Sequence, residues 1–351
     1  MRFHLVALPH TNVNTEHTAC AFNQKVLKFA RMMRGLGHEV FLYSSEVADD
    51  VATEHIVCIT EEERLACLEG RHYTEASFDI SLPHWQKFNA KVDEEIGKRI
   101  EQKDFICLIG GLAHKPIADA FPNHISVEFG IGYPGTFSKY RVFESYAWMH
   151  TVYGSANQNP GAIDGCWFDD VIPSYFDLND FPLEVEKDDY YLFIGRMIDR
   201  KGYSIAQEVC SQIDAPLILA GPGEPTGYGE HVGVVGPEER SKLMGKAKAV
   251  FVPTIYVEPF GSVAVEAQLC GTPVISTDWG AFVETVIDGV TGFRCRSFQQ
   301  FCDAALRAES LDPVLIRQLN EKYSLDNVAL RYEQYFEKLL TLWDDGWYNL
   351  K

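Results

Sequence analysis

Two carboxylates eight residues apart, Glu258 and Glu266, bracket the point where an apolar strand-like run gives way to a helix. The run ends at Pro253, a loop presents Glu258, and Phe260, Gly261 and Ser262 lead into a helix that continues to the stop at Gly271. A helix start preceded by Gly and Ser offers unpaired backbone N–H groups and the positive end of the helix dipole, which together suit a phosphate. Glu266 falls one turn inside that helix, on the side of its mouth. Ionised carboxylates repel phosphate, so these two suit neutral hydroxyl groups, from which they accept strong hydrogen bonds. Upstream, Gly195 and Arg196 close another strand, and Lys201 and Gly202 precede the next helix. Two cations on that edge fit a diphosphate. A single Arg or Lys beside a helix start is ordinarily a solvated charge, and it is the joint occurrence with the glutamates that carries the reading.

The elements that must position these residues alternate in type. Residues 3–8 read as a strand. A helix running to about Leu36 follows, with Phe22, Val26, Phe29 and Met33 on one stripe, and then a strand over 39–43. A second amphipathic helix carries Trp85, Phe88, Val92, Ile96 and Ile100, and an apolar strand over 105–109 stops at Gly110 and Gly111. Residues 154–182, rich in Gly, Pro, Asn and Asp, read as an inter-domain connection. Alternation then resumes with strands over 190–194, 216–220, 249–253 and 272–276 and helices over 204–213, 238–247 and 262–270. This is an α/β pattern of parallel sheets covered on both faces. A chain of 351 residues accommodates two such domains of roughly 150–180 residues, with ligands at the carboxyl ends of the strands.

Composition narrows the partners. With 31 basic and 50 acidic residues the formal net charge is -19, a field that disfavours nucleic acid. Lys25, Lys28, Arg31 and Arg34 step around the first helix and read as its solvated face; the functional alternative is contact with an anionic lipid head group or a nucleic acid acceptor. Tyr133, Phe137, Tyr140, Tyr146 and Trp148 either stack on an acceptor or fill the core. The nine cysteines are scattered singly, which fits reduced thiols in a cytoplasmic protein. The amino terminus lacks the apolar length of a signal peptide, and no apolar run reaches the roughly 18 residues of a membrane span. The segment from Gly221 to Gly227 is interrupted by Pro222 and Pro225 where a dinucleotide-binding helix would begin. No Asp-x-Asp, no Walker loop and no histidine metal pattern occurs.

The second half resembles the donor-binding domain of the family 4 retaining glycosyltransferases. The likeness rests on GRxxxxKG (Gly195 to Gly202), AGxG (Ala220 to Gly223), GVVGPEERSKL (Gly233 to Leu243) and EPFGSVAVEAQLCGTPV, with Glu258 and Glu266 at the family's E-x7-E spacing. It implies the GT-B fold, two doubly wound Rossmann-like domains facing each other across a cleft. The hinge-like segment from Val171 to Phe181 then gives an N-terminal acceptor-side domain over 1–181 and a nucleotide-sugar-binding domain over 182–325. A closing segment over 326–351 returns to the first domain. The resemblance implies that Arg196 and Lys201 bind the diphosphate, Glu258 the sugar hydroxyls and Glu266 the ribose hydroxyls. Phe260 falls in the same motif, where Gly261 and Ser262 offer N–H groups and the backbone near Val235 meets the base. In the first half Thr11 and Asn12 are candidates for phosphate contacts, although the glycine pair usual in that loop is absent. Glu128 stands about where many members carry a histidine facing the sugar, and is read either as a buried structural carboxylate or as a cleft residue. The expected activity is retaining transfer from a UDP or GDP sugar, without metal or other cofactor, to a sugar or small glycoside. A GT-B epimerase, a sugar phosphorylase, a transferase acting on modified nucleic acid or lipid, and a non-catalytic sensor are the alternatives.

Overall fold

The computed structural model describes residues 1–17, 20–157 and 159–344. The first half runs β1 (Arg2–Val6), α1 (Ala21–Gly35), β2 (Glu39–Ser45), β3 (Glu54–Ile59), α2 (Glu61–Leu68) and α3 (Pro83–Gly97). It continues through β4 (Phe105–Leu108), α4 (Lys115–Ala120), β5 (Ile125–Ile131), β6 (Tyr140–Phe143), α5 (Tyr146–Ala156) and β7 (Asp169–Val171). The second half begins with β8 (Tyr191–Ile194), α6 (Tyr203–Gln212), β9 (Leu217–Ala220), β10 (Glu230–Gly233), α7 (Pro237–Lys246) and β11 (Val250–Val252). After α8 (Ser262–Leu269), β12 (Val274–Thr277), α9 (Phe282–Thr285) and β13 (Gly292–Cys295) come α10 (Phe298–Arg307), α11 (Pro313–Asn320) and α12 (Leu325–Asp344).

These elements form two compact units. One comprises the described residues of 1–144, 152–175 and 328–344; the other comprises 145–151 and 176–327. The first holds a sheet of strand order β3-β2-β1-β4-β5-β6-β7 and the second a sheet of order β10-β9-β8-β11-β12-β13. All pairings within both are parallel. In each unit the chain starts near the middle of the sheet and winds outward both ways, so helices cover both faces.

In the second unit the period of two is visible in the core. Leu192, Ile194, Val250 and Val252 point to one face, where α8 packs. Tyr191, Phe193 and Phe251 point to the other, against α6 and α10. In the first unit Val26, Phe29 and Met33 of the stripe on α1 are buried as their spacing requires, while Phe22 is half-buried. Phe336 of α12 packs against Phe3 and Phe105, at ring-centroid distances of 4.7 and 4.9 Å.

The region over 154–182, expected to be a connection, contains β7, hydrogen-bonded in parallel to β6. Its sequence, Asp169-Asp170-Val171, has no apolar period to reveal a strand, and its place comes from side-chain pairing: Arg141 grips Asp169 at 2.6 and 2.9 Å.

Of the basic residues of α1, Lys25 departs from the expected solvated face, while Arg31 and Arg34 keep to it with side chains 37% and 45% exposed. Lys25 turns inward, its ammonium 2.8 Å from Glu144 and 2.9 Å from the Gly130 carbonyl. Gly130 makes room, because a Cβ there would lie 2.9 Å from the lysine stem. Arg34 pairs with Asp50 at 2.8 Å and Arg31 lies 3.8 Å from Asp49. Of the aromatics singled out above, Tyr140 is buried beside Phe168 whereas Tyr146 is exposed. No helix among the described residues is long and apolar enough to cross a membrane.

Candidate active site

The carboxyl edge of the second sheet gathers most of the residues marked by sequence. β8 delivers Arg196, which is exposed and forms no ion pair among the described residues. Its neighbour Gly195 is tied to β9 through a 2.9 Å bond from its N–H to the Ala220 carbonyl.

A short 3-10 turn, Asp199–Lys201, then ends on Gly202 in the left-handed region (φ 74°). A Cβ at Gly202 would overlap the carbonyl oxygen of Pro253, so only glycine lets this turn close onto the end of β11. The Ile255 N–H donates to the Arg200 carbonyl at 2.9 Å, stitching the two loops together. Gly202→Ala is therefore expected to destabilise the protein by roughly 2–4 kcal/mol, from backbone strain plus the displaced carbonyl. A thermal melt matching the native one would contradict this close approach.

That closure puts Lys201 on Glu258, with Nζ 2.8 Å from Oε2. Both side chains are largely buried. Burial lowers the Lys201 pKa, but the Glu258 charge and hydrogen bond outweigh it, so the net shift is upward and the ammonium is held. The Tyr256 ring lies under both Lys201 and Arg200, 5.0 Å from each cationic group.

The loop continues to Gly261 (φ 78°), which precedes α8 and gives it no side-chain cap. The leading N–H groups of α8 have no carbonyl one turn earlier in the helix to accept from them. Ser262 is half-buried at this mouth. The ring of Phe260 is only 3% exposed, packed with Phe176 and Tyr323, which leaves its backbone to meet a ligand.

Glu266, on the first full turn of α8, is ion-paired with Arg240 of α7. Val235 follows β10, half-buried against the core. Its segment is fixed by a bond from the Gly221 N–H to the Gly233 carbonyl, 2.6 Å, and by His231 Nε2 at 2.9 Å from the Gly221 carbonyl oxygen.

The remaining candidates belong to the first unit. Thr11 and Asn12 are buried beyond β1, where Ser45 Oγ donates to Asn12 Oδ1 (2.7 Å) and to the Thr11 carbonyl (3.0 Å). Glu128, on β5, is fully buried. Its Oε2 accepts from the Phe137 and Ser138 N–H groups, each at 2.8 Å, and its Oε1 from the Tyr133 hydroxyl at 3.3 Å. Burial pushes its carboxyl up, and the two N–H bonds oppose that rise. These contacts give Glu128 a structural occupation within its own sheet.

Arg240 and Tyr256 escaped the sequence reading. Tyr256 stands two residues before Glu258 and was open to inspection, whereas the pairing of Arg240 depends on how α7 packs against α8.

Residues 176–315, which span the candidates from Arg196 to Glu266, match the family described as glycosyl transferases group 1. Over those residues, about two fifths of its length, the chain is similar to the group 1 glycosyl transferases. The similarity to curated relatives is likewise partial. An uncharacterised glycosyltransferase of Methanocaldococcus jannaschii is 29% identical over 164 residues, 39% of this chain and 42% of that protein. A probable sucrose-phosphate synthase of Thermosipho melanesiensis is 31% identical over 136 residues, 33% of this chain and 32% of that one. A D-inositol 3-phosphate glycosyltransferase of a Mycobacterium species is 42% identical over 85 residues, 23% and 19% of the two chains. The chain thus spans less than half the length of each.

Solved structures extend the likeness to the fold of nearly the whole chain. A glycosyltransferase involved in avilamycin A biosynthesis superposes with a TM-score of 0.69 at 20% identity, covering 97% of this chain and 98% of its own. The sucrose-phosphate synthase of Thermosynechococcus elongatus gives 0.67 at 16% identity, covering 97% and 99%. HepE of Anabaena, solved with UDP and glucose, gives 0.65 at 15%, covering 96% and 100%. The chain shares the GT-B fold, built here from two α/β units that each hold a parallel sheet.

Proposed function

We propose that the protein transfers a sugar from a uridine or guanosine diphosphate sugar to an acceptor hydroxyl, with retention of anomeric configuration and without a metal ion. The observation that carries this reading is the Lys201–Glu258 pair, held by the Gly202–Pro253 contact just ahead of the uncapped α8. Arg196, Lys201 and the N–H groups at Gly261 and Ser262 hold the diphosphate. Glu258 accepts from the sugar hydroxyls, Glu266 from the ribose, and the backbone at Val235 meets the base. As the bond between sugar and phosphate breaks, the departing phosphate oxygen takes the acceptor's proton on the face it leaves, and the new bond forms on that face. That HepE was solved with UDP and glucose supports a nucleoside diphosphate in this fold.

A sugar or small glycoside is the acceptor we favour. The ion pairs of Lys25, Arg31 and Arg34 leave α1 a poor basic stripe for lipid head groups or nucleic acid. The cysteines are unpaired and most are buried, which fits the cytoplasm.

Proton NMR of the first product formed from the turned-over donor tests the chemistry. The donor's anomeric configuration is expected in the product, at a rate unchanged by excess chelator. An inverted anomer, or activity abolished by chelator and restored by manganese or magnesium, would overturn the mechanism.

A further inference from the structure

α7 packs against α8 and brings Arg240 onto Glu266, so that one terminal nitrogen, Nη2, donates to Oε2 of the carboxylate. Glu266 Oε1 accepts no hydrogen bond among the described residues, and Arg240 Nε is buried without an acceptor among them. The guanidinium side chain is 33% exposed and the carboxylate 11%. The edge of the site therefore sets an open acceptor beside the terminal N–H donors of a partly exposed guanidinium.

A lone carboxylate only accepts, and would take the two hydroxyls of a vicinal diol alike. With one oxygen already occupied it has its free capacity on the other, and a guanidinium only donates. A diol meeting this pair must divide its roles. One hydroxyl gives its hydrogen to Oε1, and the neighbouring hydroxyl oxygen accepts from the guanidinium. The planar fork of arginine suits such a double task, because the geometry that fixes one N–H on the carboxylate also fixes the direction of the next.

We propose that Arg240 and Glu266 act as a two-sided clamp on the vicinal diol of the nucleoside ribose, and that Arg240 sets the preference for ribose over deoxyribose nucleotides. The inference rests on the nucleotide-sugar reading above. It differs from a buttressing role, in which Arg240 would merely steady Glu266 and its loss would weaken every nucleotide equally.

Calorimetric titration of UDP, GDP and their 2′-deoxy and 3′-deoxy counterparts into the native protein, Arg240→Met and Arg240→Lys makes the distinction. The native protein is expected to prefer the ribonucleotide it binds by about tenfold or more over at least one deoxy counterpart, since a charged group of the pair loses a hydrogen-bond partner in the analogue. Arg240→Met should weaken the ribonucleotide about tenfold and bring that ratio close to one. Arg240→Lys keeps a charge beside Glu266, guarding the fold, yet lacks the fork and should recover only part of the ratio. A ratio unchanged in both variants, or equal losses for ribose and deoxyribose nucleotides, would overturn the clamp while leaving the donor reading intact. A folded native protein that binds neither UDP nor GDP would instead overturn the donor reading and the clamp with it.

Discussion

Glu258→Gln is expected to lower kcat at least about tenfold while the affinity for free nucleoside diphosphate stays near the native value. Glu258 adjoins the sugar in the proposed complex, and the sugar gains positive character as its bond to phosphate breaks. A fixed carboxylate there helps more in the transition state than in the ground state, so its loss falls on kcat. A charged hydrogen-bond partner in a water-poor site is worth roughly 1.5–3 kcal/mol, or about 10-fold to 150-fold in rate. The pairing with Lys201 sharpens the expectation for binding. Glutamine removes the counter-charge that holds the ammonium, so the lysine has only the bound phosphates to pair with. Nucleotide affinity that vanished in Glu258→Gln, with kcat untouched at saturating donor, would reverse the assigned role.

Glu266→Gln is expected to show the complementary loss, with nucleoside diphosphate binding weakened by about 10-fold to 150-fold and kcat at saturation little changed. The ribose does not change during transfer, so a contact to it acts on ground state and transition state alike. The substitution also leaves Arg240 facing a neutral amide in place of its ion-pair partner. Because that guanidinium is partly exposed, water solvates it and the fold should survive, which a thermal melt checks alongside the titration. Native affinity for UDP and GDP in a folded Glu266→Gln protein would remove Glu266 from the nucleoside site.

What the sequence disclosed about this site was local in the chain. Each step from β11 through the Glu258 loop into α8 is a neighbour of the last, so strand end, glycine, serine and glutamate spacing can be read in order. The Arg196 and Lys201 turn is legible for the same reason. The Arg240–Glu266 pair is not, since it joins residues 26 apart through helix packing, and an arginine among Glu238, Glu239 and Lys242 looks like surface. Lys25 misled for a related reason. Its spacing put it with the outward charges of α1, but the space that turns it inward is made by Gly130 and its partner is Glu144, both on distant segments. Strands β6 and β7 are short, and their pairing in the sheet is the only clear sign of them. Thr11, Asn12 and Glu128 are placed by contacts inside the first unit, which sequence spacing could not anticipate.

The edge around Arg196, Lys201 and α8 is proposed to hold a nucleoside diphosphate sugar. Thermal melting of the native protein with a panel of UDP and GDP sugars tests it most directly, because a ligand bound only by the folded state stabilises by RT ln(1 + [L]/Kd). At least one nucleotide sugar at about 100 times its Kd should add roughly 2.7 kcal/mol and raise Tm, and the matching shift should shrink in Glu266→Gln. A native protein whose Tm is unmoved by every member of the panel would contradict the account.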